Sequence, residues 1–155
     1  MRKSLGAVLI AGTATLYGLP AAFAGEQYVG ANGYALSGYD AVAYFTDGGP
    51  VEGSEAYSYD YNGATWLFAS AEHRDQFAAD PQAYAPVYDG HCAFGAAQDY
   101  KVPGDPLQWR VVDGHLYVNV SPRAQELFLQ DVPGTISRAD ANWPALEPAP
   151  AADPQ

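Results

Sequence analysis

The dipeptide His91-Cys92 joins the two side chains of this sequence that are best suited to soft-metal or redox chemistry. Cys92 is the only cysteine in the chain, so no intramolecular disulfide can form. A thiolate can bind a soft metal ion or be oxidised, whereas a buried thiol behaves as a small apolar group. The role of this sulfur is therefore the first question that the sequence raises.

The residues around Cys92 decide whether its thiol is expected to ionise. Gly90 can end one segment, and residues 93–98 can begin a short helix, which would place the sulfur near the N-terminus of that helix. The helix dipole favours a thiolate there, so we expect the pKa of Cys92 to fall below its usual value near ~8.5. His91 could reach the sulfur only if its own backbone is not helical, because adjacent helical side chains point apart.

Two β-hairpins are predicted from turn signals that lie between short strand-like segments. Residues 57–61 alternate tyrosine with small or polar side chains, Asn62-Gly63 follows, and residues 65–68 return as the second strand. Asp113-Gly114 lies in the same way at the centre of residues 109–120. Both dipeptides favour the tight turn that joins antiparallel strands.

A helix is predicted to follow each hairpin. Ser70 and Ser121 are suited to cap the N-termini of helices over residues 71–79 and 122–130. The other predicted helices span residues 36–45 (as a helix or a turn), 81–85 and 135–141, the last of them after a break at Pro133-Gly134. The sequence thus predicts an α+β fold, a small single domain of β-hairpins packed with short helices.

The first 24 residues have the pattern of a secretory signal peptide. Arg2 and Lys3 precede an apolar stretch over residues 5–16, and Ala22-Phe23-Ala24 forms a small-x-small cleavage site. We expect cleavage after Ala24, a periplasmic or secreted protein, and no membrane span in the mature chain. The predicted domain covers residues 25–146, and the tail over residues 147–155 is rich in proline and alanine and is expected to be disordered.

The formal net charge of -11 limits the classes of partner. Loss of Arg2 and Lys3 with the leader would reduce the seven basic residues to five, against 18 acidic ones. Such a chain is repelled by phosphate backbones and by anionic membrane surfaces, so a nucleic-acid partner is excluded. Cations, metal ions included, are attracted. An exported protein with a single cysteine has a free thiol, a metal ligand or an intermolecular bridge.

Five segments of the chain resemble YHS domains and the sequences that accompany them in exported, stand-alone YHS proteins. The resemblance extends over about residues 33–146. It is carried by residues 38–45 (GYDAVAYF), 61–72 (YNGATWLFASAE), 77–86 (FAADPQAYAP), 90–95 (GHCAFG) and 140–144 (DANWP).

The resemblance implies metal or redox chemistry. YHS domains are similar to TRASH metal-binding modules and occur fused to copper-transporting ATPases. Cysteine-bearing members have one thiol after the phenylalanine of the second strand and another near the start of the next helix, where this chain has Ala69 and His73. The usual ligand pair is therefore not intact. In some relatives selenocysteine takes the position of Cys92.

The other histidines have weaker functional signals. His73 is expected in the first turn of a helix, facing solvent, and only its alignment with a ligand position of the family favours a metal role. His115 opens a strand on whose face Tyr117 and Asn119 also lie, and this face is expected to be polar. We therefore interpret His115 as structural.

We expect a non-enzymatic protein, because no catalytic motif is present in the sequence. The first hypothesis is that it handles copper or another soft transition metal ion through Cys92, His91 and His73, since thiolate and imidazole suit such ions. An exported metal-handling or redox protein would then be its partner. The alternatives are a thiol-based redox protein with Cys92 as the reactive residue, and a binding scaffold whose cysteine is inert.

Overall fold

The computed structural model describes residues 25–152. The predicted leader over residues 1–24 and the last three residues lie outside the described part. Two antiparallel hairpins and several short helices make up the chain, which confirms the predicted α+β class.

The first half of the chain contains one hairpin and three short α-helices. A 3-10 turn at Leu36–Gly38 precedes all of them. The elements are α1 (Ala43–Thr46), β1 (Ser54–Tyr61), β2 (Ala64–Phe68), α2 (Ala71–Ala79) and α3 (Pro81–Tyr84). Asn62 and Gly63 join the strands with φ angles of 51° and 73°, as a type I′ turn requires.

The second half repeats the hairpin-and-helix order and adds a long final helix. A 3-10 turn at Val87–Gly90 opens this half. The elements are α4 (Ala93–Ala97), β3 (Asp105–Val112), β4 (His115–Asn119), α5 (Pro122–Gln130) and α6 (Val132–Leu146). Asp113 and Gly114, at φ angles of 50° and 78°, form the tight turn. The two hairpins are separate two-stranded sheets, each with one register irregularity.

The helix that follows each hairpin begins in the same way. The Ser70 hydroxyl accepts the N–H of His73 at 3.1 Å, and the Ser121 hydroxyl accepts the N–H of Ala124 at 3.2 Å. These caps satisfy N–H groups that have no partner within the helix. We call residues 54–79 the first unit and residues 105–130 the second unit.

The strand β4 lies between two apolar clusters. Leu116 and Val118 belong to the first cluster, with Trp66, Phe68 and Phe77. On the opposite face Tyr117 packs with Phe128, Ala139 and Leu146 in the second cluster. The expectation of a polar face was wrong at Tyr117 and Asn119, which are 6% and 0% exposed. Helices α4 and α5 pack against this strand, and residues of α6 join Tyr117 in the second cluster.

The final helix departs from the sequence prediction at its start. Pro133-Gly134 was expected to separate two helices, yet α6 already begins at Val132. The Asp131 carboxylate accepts the N–H of Gly134 at 3.1 Å and caps this helix. Proline is compatible with the first turn because that turn needs no N–H donor there. The helix continues to Leu146, beyond the predicted end at residue 141.

Small side chains bring α6 close to α4. Ala93, Ala96 and Ala97 are buried in the second cluster, and the Asn142 amide donates to the carbonyl of Ala96 at 2.9 Å. Gly95 has little free space, since a Cβ there would lie 3.0 Å from Val102. The run of small residues after Cys92 therefore has a packing role.

Part of the predicted tail makes defined contacts with the domain. The Lys101 ammonium donates to the carbonyls of Glu147 and Ala149 at 2.6 and 2.8 Å, and the N–H of Ala152 donates to the Lys101 carbonyl at 2.8 Å. Residues 147–152 make these contacts, and the disorder of the tail stays a prediction. Within the described residues, no helix has the length and apolar character that crossing a bilayer would need.

Phe77 is the centre of the aromatic packing in the first cluster. It is fully buried, and the rings of Tyr61, Trp66 and Phe68 lie 4.9 to 5.8 Å from its own. We expect Phe77→Ala to lower the free energy of unfolding by about 3–5 kcal/mol, because it removes a large buried ring and leaves a cavity. Denaturant unfolding at equilibrium measures this change.

The control for this variant is Tyr100→Ala, since Tyr100 is 65% exposed. Its effect should stay within about 0.5 kcal/mol. Equal losses for the two variants would contradict the placement of Phe77 at the centre of the core.

Candidate functional site

Cys92 is the N-cap of α4, as the sequence predicted. Its backbone is extended, and the sulfur accepts the N–H of Gly95 at 3.2 Å. The thiol in turn donates to Oδ1 of Asn119 at 3.6 Å. The residue is 1% exposed. The sulfur therefore lies at a helix start but is not open to solvent.

The predicted direction of the Cys92 pKa was wrong. Burial raises the pKa of this thiol, and the backbone N–H groups of Gly95, Val120 and Phe94 lower it by less. Removal from water penalises a thiolate, and a helix of only five residues supplies too little compensation. The side chain is thus a protonated thiol at neutral pH, which is the inert form in redox chemistry.

The partners of Asn119 indicate a structural role for this region. Its Oδ1 also accepts the N–H of Phe94 at 2.9 Å, and its amide donates to the Gln125 side chain at 2.7 Å. Gln125 in turn donates to the carbonyl of Trp109 at 2.7 Å. Buried polar side chains need such partners. Cys92 is one member of a network that joins α4, β4 and α5.

His91 is adjacent to Cys92 in sequence but bonds elsewhere. Its backbone is extended, which meets the condition for reaching the sulfur, yet its Nδ1 lies 3.0 Å from the carbonyl of Tyr88. The ring packs against Tyr28 and Trp143 and is 3% exposed. Burial lowers the pKa of His91 to about 4, so the imidazole is neutral at pH 7 and donates its Nδ1–H to that carbonyl.

His73 lies in the first turn of α2 and faces a buried carboxylate. Its Nδ1 is 2.6 Å from Oδ2 of Asp40, and its Nε2 is 3.3 Å from the hydroxyl of Thr46. The imidazole side chain is 15% exposed and that of Asp40 is 0% exposed. His73, which was expected to face solvent, is thus half-buried, and Asp40 holds its ring through Nδ1.

The carboxylate of Asp40 fixes which nitrogen of His73 is available. A carboxylate only accepts hydrogen bonds, so Nδ1 carries a proton, and in the neutral ring the Nε2 lone pair points away from Asp40. Histidines that bind metals are commonly oriented in this way, and so are histidines that act as general bases. The Thr46 hydroxyl is the one group bonded to Nε2 in the described part of the chain.

Ala69 and His73, the two positions that the resemblance compares with ligands, meet at the same carboxylate. Oδ2 of Asp40 accepts the N–H of Ala69 at 2.9 Å in addition to the His73 ring. Asp40 and Thr46 were not predicted from the sequence as site residues. The signal for Asp40 was its place in the GYDAVAYF segment, whereas nothing local points to Thr46.

The structure does not assemble the three predicted ligands into one site. His73 bonds to Asp40, His91 to Tyr88 and Cys92 to Asn119. Over residues 25–152 no group of three or more histidine, cysteine, aspartate or glutamate side chains could hold a metal ion.

His115, interpreted as structural, is exposed at the start of β4. A groove of about 190 Å³ is lined by His91, Tyr28 and Lys101, among others.

Comparison with known proteins identifies one family. The model of the YHS domain matches residues 42–88, which include α1, the first unit and His73. No curated protein and no solved structure shows significant similarity to the chain. The wider domain predicted over residues 25–146 stays a prediction. The YHS domain is associated with metal binding, copper among the metals. Residues 42–88 thus match the YHS domain, in agreement with the resemblance seen in the sequence.

Proposed function

We propose that this protein handles a soft metal ion, with copper as the first candidate, and that the ion is a cargo rather than a resident cofactor. In this proposal Nε2 of His73 is the atom that binds the ion. The observation that carries the proposal is the imidazole of His73, which lies within the YHS match and is held at 2.6 Å by the carboxylate of Asp40 just outside it. An imidazole nitrogen with a fixed tautomer is a good ligand for copper and related ions. No reaction is proposed, so the role is non-enzymatic.

The second unit supports this assignment, because it has the same local structure without the histidine. Ala124 occupies the place of His73 in the first turn, and each residue donates its N–H to the capping serine. Phe77 and Phe128 are both fully buried later in the two helices. The serine cap therefore forms equally well with a methyl group in this position, so it does not depend on the imidazole of His73.

The donors near His73 make only part of a coordination sphere. The Thr46 hydroxyl lies 3.3 Å from Nε2, and Oδ1 of Asp47 lies 3.0 Å from that hydroxyl. Copper(I) takes two or three soft ligands, and this surface offers one imidazole. A partner protein would supply the others, which suits an ion that is passed on. The formal net charge of -11 favours the approach of cations.

Cys92 and His91 are not proposed as metal ligands in the folded protein. Each is buried and bonded to the protein, so either could serve as a ligand only after the start of α4 opens. The redox alternative needs a reachable thiolate, and the burial and raised pKa of Cys92 disfavour one. The inert role of this thiol fits its contacts with Gly95 and Asn119.

Copper(I) competition against a chromogenic chelator, under anaerobic reducing conditions, tests the metal proposal. We expect His73→Ala to weaken copper(I) binding at least tenfold, because it removes the proposed ligand. Asp40→Asn should weaken it by about 10–100-fold, the usual effect of losing a carboxylate that orients a ligand. Circular dichroism of each variant checks that it is folded.

The matched control is His115→Ala, which removes an exposed histidine outside the site and should leave the affinity unchanged. If His73→Ala kept the full affinity for copper(I) and Cys92→Ser lost it, the metal site would lie at Cys92. That result would refute the assignment of His73.

Reactivity of the thiol is a second prediction. Native Cys92 should react with a chromogenic disulfide reagent at pH 8 roughly 100-fold or more slowly than in guanidinium chloride, because attack needs an exposed thiolate. Stopped-flow absorbance measures both rates. Fast reaction of the native protein would favour the redox alternative instead.

A further inference from the structure

Three charged residues surround Gly25. The N–H of Gly25 donates to Oε1 of Glu147 at 2.8 Å. Lys101, itself 8% exposed, donates to the carbonyls of Glu147 and Ala149. Asp89 completes the group, since the charges of Glu147 and Lys101 both act on its carboxyl. We call Asp89, Lys101 and Glu147 the entry cluster.

The entry cluster contains an unsatisfied buried oxygen. Oδ2 of Asp89 is buried and has no hydrogen-bond partner among the described residues. Leaving a buried carboxylate oxygen without a donor is costly. Burial, and then the charge of Glu147, raise the pKa of Asp89 to about 6, while Lys101 acts in the opposite direction. The entry cluster thus lacks one hydrogen-bond donor for Oδ2 of Asp89.

Gly25 lies close to this unsatisfied oxygen of Asp89. A Cβ at this position would overlap both Oδ2 of Asp89 and Cγ of Glu147, so the two acidic side chains close around the glycine backbone. Any residue with a side chain would displace them. Glycine therefore allows the backbone nitrogen to sit between the two carboxylates.

The charges of the cluster point to the form of the missing donor. Asp89 and Glu147 carry two negative charges when ionised, and Lys101 supplies one positive charge. A peptide nitrogen at residue 25 has one N–H and no charge, and Glu147 already accepts that N–H. An α-ammonium has three N–H groups and one positive charge. It would satisfy Oδ2 of Asp89 and balance the cluster.

We propose that the Ala24–Gly25 bond is hydrolysed on export and that the new α-ammonium of Gly25 binds Asp89 and Glu147 as an N-terminal clamp. Water is consumed, the bond from the Ala24 carbonyl carbon to the Gly25 nitrogen breaks, and Ala24 leaves as a carboxylate under the action of an export peptidase. The small-x-small pattern of residues 22–24 marks the same bond. The sequence pattern and the entry cluster support the processing site independently.

Edman sequencing of the protein recovered from the exported fraction tests the processing site, and Gly25 should be its first residue. The clamp is tested by comparing the chain over residues 25–155 with the chain over residues 24–155. The shorter chain should melt roughly 3 °C or more higher, because the added alanine moves the ammonium away from Asp89. Only the shorter chain should show an α-amine pKa above the usual 7.7–8.0 and an Asp89 pKa below about 6, by NMR titration.

Asp89→Asn should remove most of the difference in melting temperature between the two chains. The matched control is Asp75→Asn, whose side chain is 71% exposed, and it should leave the difference unchanged. Equal melting temperatures and ordinary amine pKa values in both chains would overturn the clamp. So would equal stabilisation of both chains by added Mg²⁺ or Ca²⁺, since a cation from solution would then be the missing partner. A first residue other than Gly25 would overturn the processing site.

Discussion

The buried carboxylate of Asp40 holds together parts of the YHS domain that are distant in sequence. Its Oδ1 accepts the N–H groups of Val42 and Ala43, and its Oδ2 accepts the N–H of Ala69 and the ring of His73. A carboxylate at 0% exposure needs such donors, so α1, the end of β2 and the first turn of α2 must all face it. The orientation of the His73 ring is a consequence of this requirement.

Local features of the fold could be predicted from the sequence, because each depends on neighbouring residues. The turns at Asn62-Gly63 and Asp113-Gly114 and the helices begun by Ser70 and Ser121 were all found where they were expected. The prediction of a helix after Cys92 was also correct. These elements rest on backbone conformations and caps that a few adjacent side chains determine.

The chemistry of the site could not be predicted in the same way, since it depends on contacts across the chain. Asp40 and His73 are 33 residues apart, and Cys92 and Asn119 are 27 apart. The helix start at Cys92 suggested a lowered pKa, but strand β4 and its neighbours bury the thiol and reverse that direction. The burial of Tyr117 was missed for the same reason, because alternation along a strand does not reveal what covers its second face.

The position of β4 between the two clusters bears on how the YHS match should be understood. Trp66, Phe68 and Phe77 lie inside the matched residues 42–88, yet they pack on Leu116 and Val118 from beyond its end. A fragment cut at the boundaries of the match would expose this apolar surface to water, at about 25 cal/mol for each Å². The matched segment thus lacks Leu116 and Val118, two buried members of the apolar cluster to which its own core residues belong.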